Sequence, residues 1–274
     1  MLCQCGNEPV YYRRWEGRYY CKECLSASVE KRFCKAVQIQ RNDKIGVAVS
    51  GGKDSSVLLV LMHKFFPSNI VCALSIDEGI DGYRTPSIAA AAALARQLGV
   101  EHRVVAFEHE LNVRLDDIKT DKNCTFCGVF RRYLLNKTAR DLGLSKLAVG
   151  HNMDDEVQSI LMNVIRGDVS KGQMNKVREE FCPRIKPLAD VPEKEIMLYA
   201  LVNRIPFYPG ECHRSFNNLR RDVQSVINMF EEKYPGTKMQ IRRFSEKSVG
   251  QHAPPRRRVL SCRVCCEPSS KNVC

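Results

Sequence analysis

The chain has 274 residues and a formal net charge of +12, enough for one sizeable core with small appendages. No stretch approaches the roughly 18 uninterrupted apolar residues of a membrane span, and no apolar secretory segment opens the chain; a soluble, cytoplasmic protein is expected. The excess of base points to a polyanionic partner, most simply a nucleic acid, although a generally basic surface gives the same sum.

Residues 1–25 carry Cys3, Cys5, Cys21 and Cys24, part of a total of fourteen cysteines. Two close pairs in a chain of this length, without a secretory leader, suggest metal ligation rather than disulfides. Their spacing resembles a tetrahedral zinc knuckle, with Cys-x-Cys where Cys-x2-Cys is usual. So small a module cannot hold itself by burial, and the metal would supply its folding energy. Residues 26–43, with Val29, Phe33 and Val37 at four-residue spacing, predict a connecting helix.

From 44 to about 244 the pattern alternates. Apolar runs at 45–49, 70–77, 102–107 and 146–150 read as strands, and 54–66, 84–98 and 126–142 as the helices between them. Further helices are predicted at 153–165, 192–203 and 217–234. Strand and helix in alternation predict an α/β fold with a doubly wound parallel sheet, its ligand outside the C-terminal strand ends. From about 245 a basic linker containing Pro254-Pro255-Arg256-Arg257-Arg258 leads to Cys262, Cys265 and Cys274. These three resemble a zinc ribbon lacking its last ligand, which is expected to follow Cys274; the neighbouring Cys266 is a poor substitute in the same tetrahedron.

Ser50-Gly51-Gly52-Lys53-Asp54-Ser55 lies between the apolar runs Ile45–Val49 and Val57–Leu61. Two glycines let backbone approach an anion, a helix N-terminus offers free N–H groups, and Lys53 adds a mobile charge. It is not a Walker A loop, because Val47 stands where that motif has its first Gly and Asp54 follows the Lys. Nucleotide binding is expected, against the plainer reading of an ordinary βα turn.

Cys124 and Cys127 sit mid-domain, with Cys212 far downstream. Three thiolates do not close a tetrahedral structural zinc site; they can hold three irons of a 4Fe–4S cluster and leave the fourth open. A redox Cys-x2-Cys or an open catalytic zinc are the alternatives. Cys34, Cys72 and Cys182 are read as inert. The run Gly150-His151-Asn152-Met153-Asp154-Asp155-Glu156 puts carboxylates after the fourth strand, for Mg²⁺ or an attacking group, or merely as a favourable first helical turn. Asp77 ends the second strand, and either faces the nucleotide or is a turn residue. Arg131, Arg132, Arg220, Arg221, Arg242, Arg243 and Arg256–Arg258 are candidate phosphate or RNA contacts, each alone more often a solvated charge.

The Ser50–Ser55 loop resembles the pyrophosphate loop of N-type ATP pyrophosphatases. Joined with Cys124-x2-Cys127-Gly, Gly150-His-Asn-x-Asp-Asp-Glu, Arg184-Ile-Lys-Pro-Leu, Glu193-Lys-Glu, Cys212 and both terminal modules, the chain resembles the TtuA/NcsA-type tRNA 2-thiouridine synthetases. The terminal modules separate it from the cytidine-32 thiolases, which share the central pattern; an amidating synthetase is the other relative of this loop. The resemblance implies ATP and Mg²⁺, with nucleotide contacts from Ala48, Ser50, Gly51, Gly52, Lys53, Asp54, Ser55, Ile76, Asp77, Arg131, Gly150 and Asp155. It implies a 4Fe–4S cluster on Cys124, Cys127 and Cys212, two zinc sites, and a homodimer acting on tRNA. Lys53, Asp54, Asp155 and Arg131 carry over as catalytic, Arg131 standing where a Lys is an alternative. ATP would adenylate the uridine 2-oxygen and sulfur would then displace AMP. The segment Cys212–Asp222 resembles members acting on wobble uridine 34, with uridine 54 as the alternative. A thiocarboxylated ubiquitin-like carrier and free sulfide both fit as sulfur donor.

Overall fold

The computed structural model describes residues 1–120, 123–168, 181–215, 219–248, 260–263 and 268–269. It opens with a hairpin, β1 (Tyr11–Arg13) and β2 (Arg18–Tyr20), and a helix α1 (Lys22–Ala36). That helix begins before residue 26, where the sequence placed it, because Cys21 is its N-cap and accepts the Cys24 N–H; it ends well short of 43.

The core follows in chain order as β3 (Ile45–Ala48), α2 (Lys53–Phe65), β4 (Ile70–Asp77), α3 (Arg84–Gln97), β5 (His102–Ala106), a short α4 (Phe107–Leu111), α5 (Asn123–Asp141), β6 (Lys146–Ala148), α6 (Met153–Ile165), β7 (Arg184–Ile185) and α7 (Glu193–Val202). Two helices, α8 (Leu219–Lys233) and α9 (Thr237–Ser248), follow, and the short strands β8 (Leu260–Ser261) and β9 (Pro268–Ser269) pair antiparallel. No described helix is long and apolar enough to cross a membrane.

All five core strands are parallel, in the order β5-β4-β3-β6-β7. The central strands β3, β4 and β6, buried on both sides over most of their length, read as apolar runs, with alternate residues serving opposite faces, while the edge strand β5 leaves Arg103 and Val104 exposed. Ile45, Val47, Ala73 and Ala148 pack with α1, α2, α3 and α7, while Cys72, Leu74, Ile76, Leu147 and Val149 pack with Phe107 and, from α5, Leu134, Leu135 and Ala139. A third small core joins Met153 and Val157 of α6 to Val223 and Ile227 of α8.

The order reverses at β3: the chain winds to β4 and β5 on one side, then returns to β6 and β7 on the other. Such a switch point opens a crevice at the C-terminal strand ends, and the glycine loop leaves β3 there.

The N-terminal hairpin is fastened to α7 by a buried ion group. Arg13 donates to Glu195 twice, at 2.9 and 2.8 Å, and Arg32 of α1 pairs with the same carboxylate. Glu195 is fully buried and Arg13 is 3% exposed, so neither charge has water to fall back on.

Candidate active site and two cysteine groups

The loop between β3 and α2 requires glycine at Gly51 for two reasons. Its φ is +87°, and a Cβ there would stand 1.9 Å from the Ser87 carbonyl oxygen. Gly52 caps α2 without a side-chain bond, leaving first-turn N–H groups for an anion. Ser55 braces the turn from inside: its hydroxyl accepts the Ser50 N–H (3.0 Å) and donates to the Gly52 carbonyl (2.9 Å). Gly150, just past β6, lets that strand end come against α2, since a Cβ would lie 3.1 Å from the Ser55 nitrogen. Tyr208 donates its N–H to the Gly51 carbonyl at 2.8 Å and closes the loop from another side.

Lys53 reaches Glu193 at 2.6 Å and Asp54 at 3.1 Å. Burial presses its pKa down, but these two carboxylates outweigh it and hold the ammonium charged. Burial raises Asp54 above the ordinary carboxylate range, against the pull of Lys53; Asn152 donates to its other oxygen at 3.2 Å. Asp155 forms a capping box with Asn152 at the start of α6 and pairs with Arg220 at 3.1 Å. Burial raises its pKa, opposed chiefly by the Asn152 N–H. Asp154 is 3% exposed and serves structure: it accepts the Glu193 N–H at 2.8 Å and pairs with Lys238 of α9. His151 meets solvent at the mouth of the crevice, yet loss of bulk water and the nearby Lys186 hold its pKa near 4.

At the end of β4, Ala48 and Ile76 stand on neighbouring strands, and Asp77 turns back to accept the Gly79 N–H at 3.0 Å. Arg84, 4% exposed, donates to the Ile76 and Ser50 carbonyls (2.6 and 2.9 Å). Several arginines that read as phosphate contacts have protein partners: Arg220 takes Asp155 and Gln158 (3.0 Å), Arg242 takes Asp190, and Arg221 takes Glu211. Arg132 and Arg184 are different. Burial lowers both pKa values, helped by the charge of Arg131 on Arg132 and of Arg132 on Arg184, and Arg184 donates to the Arg132 carbonyl at 3.2 Å. Arg256–Arg258 lie outside the described residues.

Cys124 and Cys127 occupy one face of the first turn of α5. The Cys124 thiol donates to the Arg214 carbonyl at 3.5 Å, which brings the segment bearing Cys212 against that turn. Burial pushes the Cys127 thiol up to about 11, and Cys124 and Cys212 both act on its charge; Cys212 is raised likewise. Three convergent thiols, none buried, are a donor set suited to a cluster with one iron left open, which spreads its ligands wider than a single ion.

The N-terminal group is closed. The ligand atoms of Cys3, Cys5, Cys21 and Cys24 all lie within 4.8 Å of one another, the one such set among the described residues. Cys5 and Cys21 sulfurs are 3.4 Å apart, near the tetrahedral edge of about 3.8 Å that zinc–sulfur arms of about 2.3 Å produce. Backbone N–H groups of Cys5 and Cys21 lower the Cys3 thiol to about 6. Of the other terminal group, Cys262 is buried after β8, and Cys265 and Cys274 lie outside the described residues.

A glycine loop at the switch point of a doubly wound sheet, with a lysine on its helix and carboxylates across the crevice, defines an adenine-nucleotide enzyme of the α/β class. The PP-loop domain family matches residues 25–227, and the chain belongs to that family. Haloferax volcanii tRNA 2-thiolation protein NcsA is 38% identical, over 87% of this chain and 83% of its own. The tRNA-5-methyluridine(54) 2-sulfurtransferase of Pyrococcus horikoshii is 30% identical, over 100% of this chain and 92% of its own. Among solved structures, the U34-tRNA thiolase NcsA of Methanococcus maripaludis, with its [4Fe-4S] cluster, is 33% identical with a TM-score of 0.90, covering 100% of this chain and 93% of that one.

Proposed function

We propose that the chain is an ATP-dependent tRNA uridine 2-sulfurtransferase. The observation that carries this reading is that the glycine loop and the Cys124–Cys127–Cys212 trio border the same turn after β4, in a chain 38% identical to a tRNA 2-thiolation protein. In this reading the free N–H groups in the first turn of α2, joined by that of Gly52 once it leaves the Ser50 hydroxyl (3.4 Å), cradle the β- and γ-phosphates of ATP, with Mg²⁺ sharing their charge. Lys53 exchanges Glu193 for phosphate. Ala48, Ile76 and Asp77 border the nucleoside, and Gly150 gives the loop room. The uridine 2-oxygen attacks the α-phosphorus, its bond to the β-phosphate oxygen breaks, and pyrophosphate leaves. A carbonyl oxygen, a poor leaving group, becomes AMP. A sulfur nucleophile then adds at C2 and AMP departs.

Asp155, its pKa raised by burial, is assigned proton transfer to or from the heteroatoms bonded to C2 as sulfur adds and AMP leaves, with Asp54 and Arg131 set against the phosphates. Cys124, Cys127 and Cys212 would hold the 4Fe–4S cluster, which supplies an open iron position for sulfur. Cys3, Cys5, Cys21 and Cys24 would hold zinc.

Wobble position 34 is the favoured target, supported by the higher identity to NcsA and the 0.90 TM-score to a U34 thiolase. The 30% identity to a uridine-54 enzyme supports the second reading. Nucleoside mass spectrometry of tRNA fragments from cells with and without the gene tests both. Loss of 2-thiouridine from the anticodon fragment is expected; loss from the T-loop fragment moves the target to 54, and no loss at all sinks the reading.

A further inference from the structure

Glu78 is 3% exposed and stands in the turn after β4. Its Oε2 is 2.6 Å from the Arg84 Nε, whose hydrogen goes to the Ile76 carbonyl. That oxygen is therefore buried with a charge contact and no hydrogen bond. Its Oε1 lies 3.7 Å from Nη1 of Arg131, one helical turn beyond Cys127. Arg84 in turn holds the Ser50 carbonyl of the glycine loop at 2.9 Å.

The backbone of the same turn reaches the third cysteine. Leu115 donates its N–H to the Glu78 carbonyl (2.8 Å) and Asp116 donates to that of Gly79 (3.3 Å). The Asp116 carboxylate takes Arg214 at 2.9 Å, and the Arg214 carbonyl takes the Cys124 thiol.

A buried carboxylate with an unfilled hydrogen-bonding position costs several kcal/mol of desolvation. Neutralising Arg84 alone needs neither the reach to Arg131 nor the open oxygen. We propose that Glu78 is a positioning residue that couples the nucleotide loop to the cysteine trio, holding Arg84 under Ser50 on one side and Arg131 on the cysteine-bearing helix on the other. This rests on the sulfurtransferase reading, in which both sites are filled in one reaction.

The test measures equilibrium ATP binding to protein that keeps its zinc but lacks the cluster and to protein reconstituted with iron and sulfide, for wild type and Glu78→Gln. Wild type should show ATP affinities differing about tenfold between the two forms, within the usual range for coupled sites. Glu78→Gln should bind ATP more weakly, with one affinity in both forms, while visible cluster absorbance per chain stays at the wild-type value. A purely structural Glu78 lowers the thermal midpoint and leaves the tenfold ratio; that result, or a wild type with no ratio, overturns the proposal. Absence of ATP binding by wild type overturns the nucleotide reading itself, and the proposal with it. If Glu78→Gln does not fold, Arg84→Lys replaces it: the shorter cation cannot span the Ile76 and Ser50 carbonyls, so the ratio should fall toward one, and a retained ratio overturns the proposal.

Discussion

Cys3, Cys5, Cys21 and Cys24 stand with their sulfurs together, two of them buried, whereas Cys124, Cys127 and Cys212 come from two separate segments and none is buried. The electrostatics divide less cleanly: in the first group the Cys24 N–H lowers Cys21 less than burial and its neighbours raise it, and hydrogen bonds with the Cys5 and Cys3 thiols raise Cys24 to about 12. Backbone N–H groups prepare Cys3 as a thiolate near pH 6, while burial holds Cys127 as a thiol up to about 11. The first group has its four sulfurs already gathered and has no ligand position to spare. The second stays protonated until a metal displaces its protons, and its ligand count leaves room for a reactant. In the proposed reading, ligand number thus separates a site that would hold the fold from one that would do chemistry.

The largest effects should come from exchanging damage between the two groups. Cys212→Ala should reduce tRNA thiolation to background and remove visible cluster absorbance. Its thermal midpoint should move by less than about 2 °C, as for a substitution outside the core. Cys21→Ser should do the reverse, lowering the thermal midpoint and soluble yield while folded molecules keep their absorbance. If both variants lose the cluster and neither loses stability, the division fails.

Glu195→Gln probes how the closed module is tied to the core. It leaves buried Arg13 with only the partly exposed Glu16 as counter-charge (3.2 Å), which costs up to about 3 kcal/mol, or roughly 4–12 °C in a chain of this size. Absorbance per folded chain should not change. Gly51→Ala acts on the open side. The φ of +87° and the Ser87 carbonyl force the loop apart, at a cost of about 1–3 kcal/mol. ATP affinity measured by calorimetry should fall about tenfold or more for the lost 1.4 kcal/mol or so of loop contacts, with the N-terminal module intact.

Much of this was legible in the sequence. The runs at 45–49, 70–77, 102–107 and 146–150 end within two residues of β3 to β6, because the central strands, buried on both faces, leave unbroken apolar stretches, and the half-exposed edge strand β5 still carries Val104, Val105 and Ala106. β7 and the β1–β2 hairpin are too short for periodicity to register. α9 is strongly polar outside Met239, Ile241 and Phe244, which hides its periodicity, and it runs to Ser248, past residue 245 where the sequence places the start of the basic linker. The start of α1 was hidden because Cys21 is both a candidate ligand and a helix cap, and spacing shows only the first role. Ser50–Ser55 was readable because its residues act within one turn. Glu78 and Arg84 were not, and Glu193 was legible only as part of the motif Glu193-Lys-Glu, not as the partner of Lys53: Lys53 meets Glu193 across 140 residues and Arg84 meets Ser50 across 34. No local pattern records such pairs.

The smallest expected effect, His151→Gln, sharpens the comparison through acid. His151 titrates near 4 when folded, below about 6.5 in an unfolded chain. Between those values the unfolded chain binds the extra proton, so stability falls as pH drops from about 6.5 toward 4 and is untouched above 6.5. The group faces Lys186, Arg220 and Arg131, with Glu156 opposing them. It is exposed, so solvent screening limits the effect to about 1 kcal/mol or less. Acid also protonates the thiolates of the closed module, which lowers the midpoint of every variant alike. The difference between wild type and His151→Gln removes that shared part. The thermal midpoint of wild type should fall by roughly 1–4 °C more than that of His151→Gln between pH 7.5 and 5. Equal losses would mean that the imidazole does not feel the basic mouth of the crevice, and that the acid sensitivity of the fold resides in the four N-terminal cysteines.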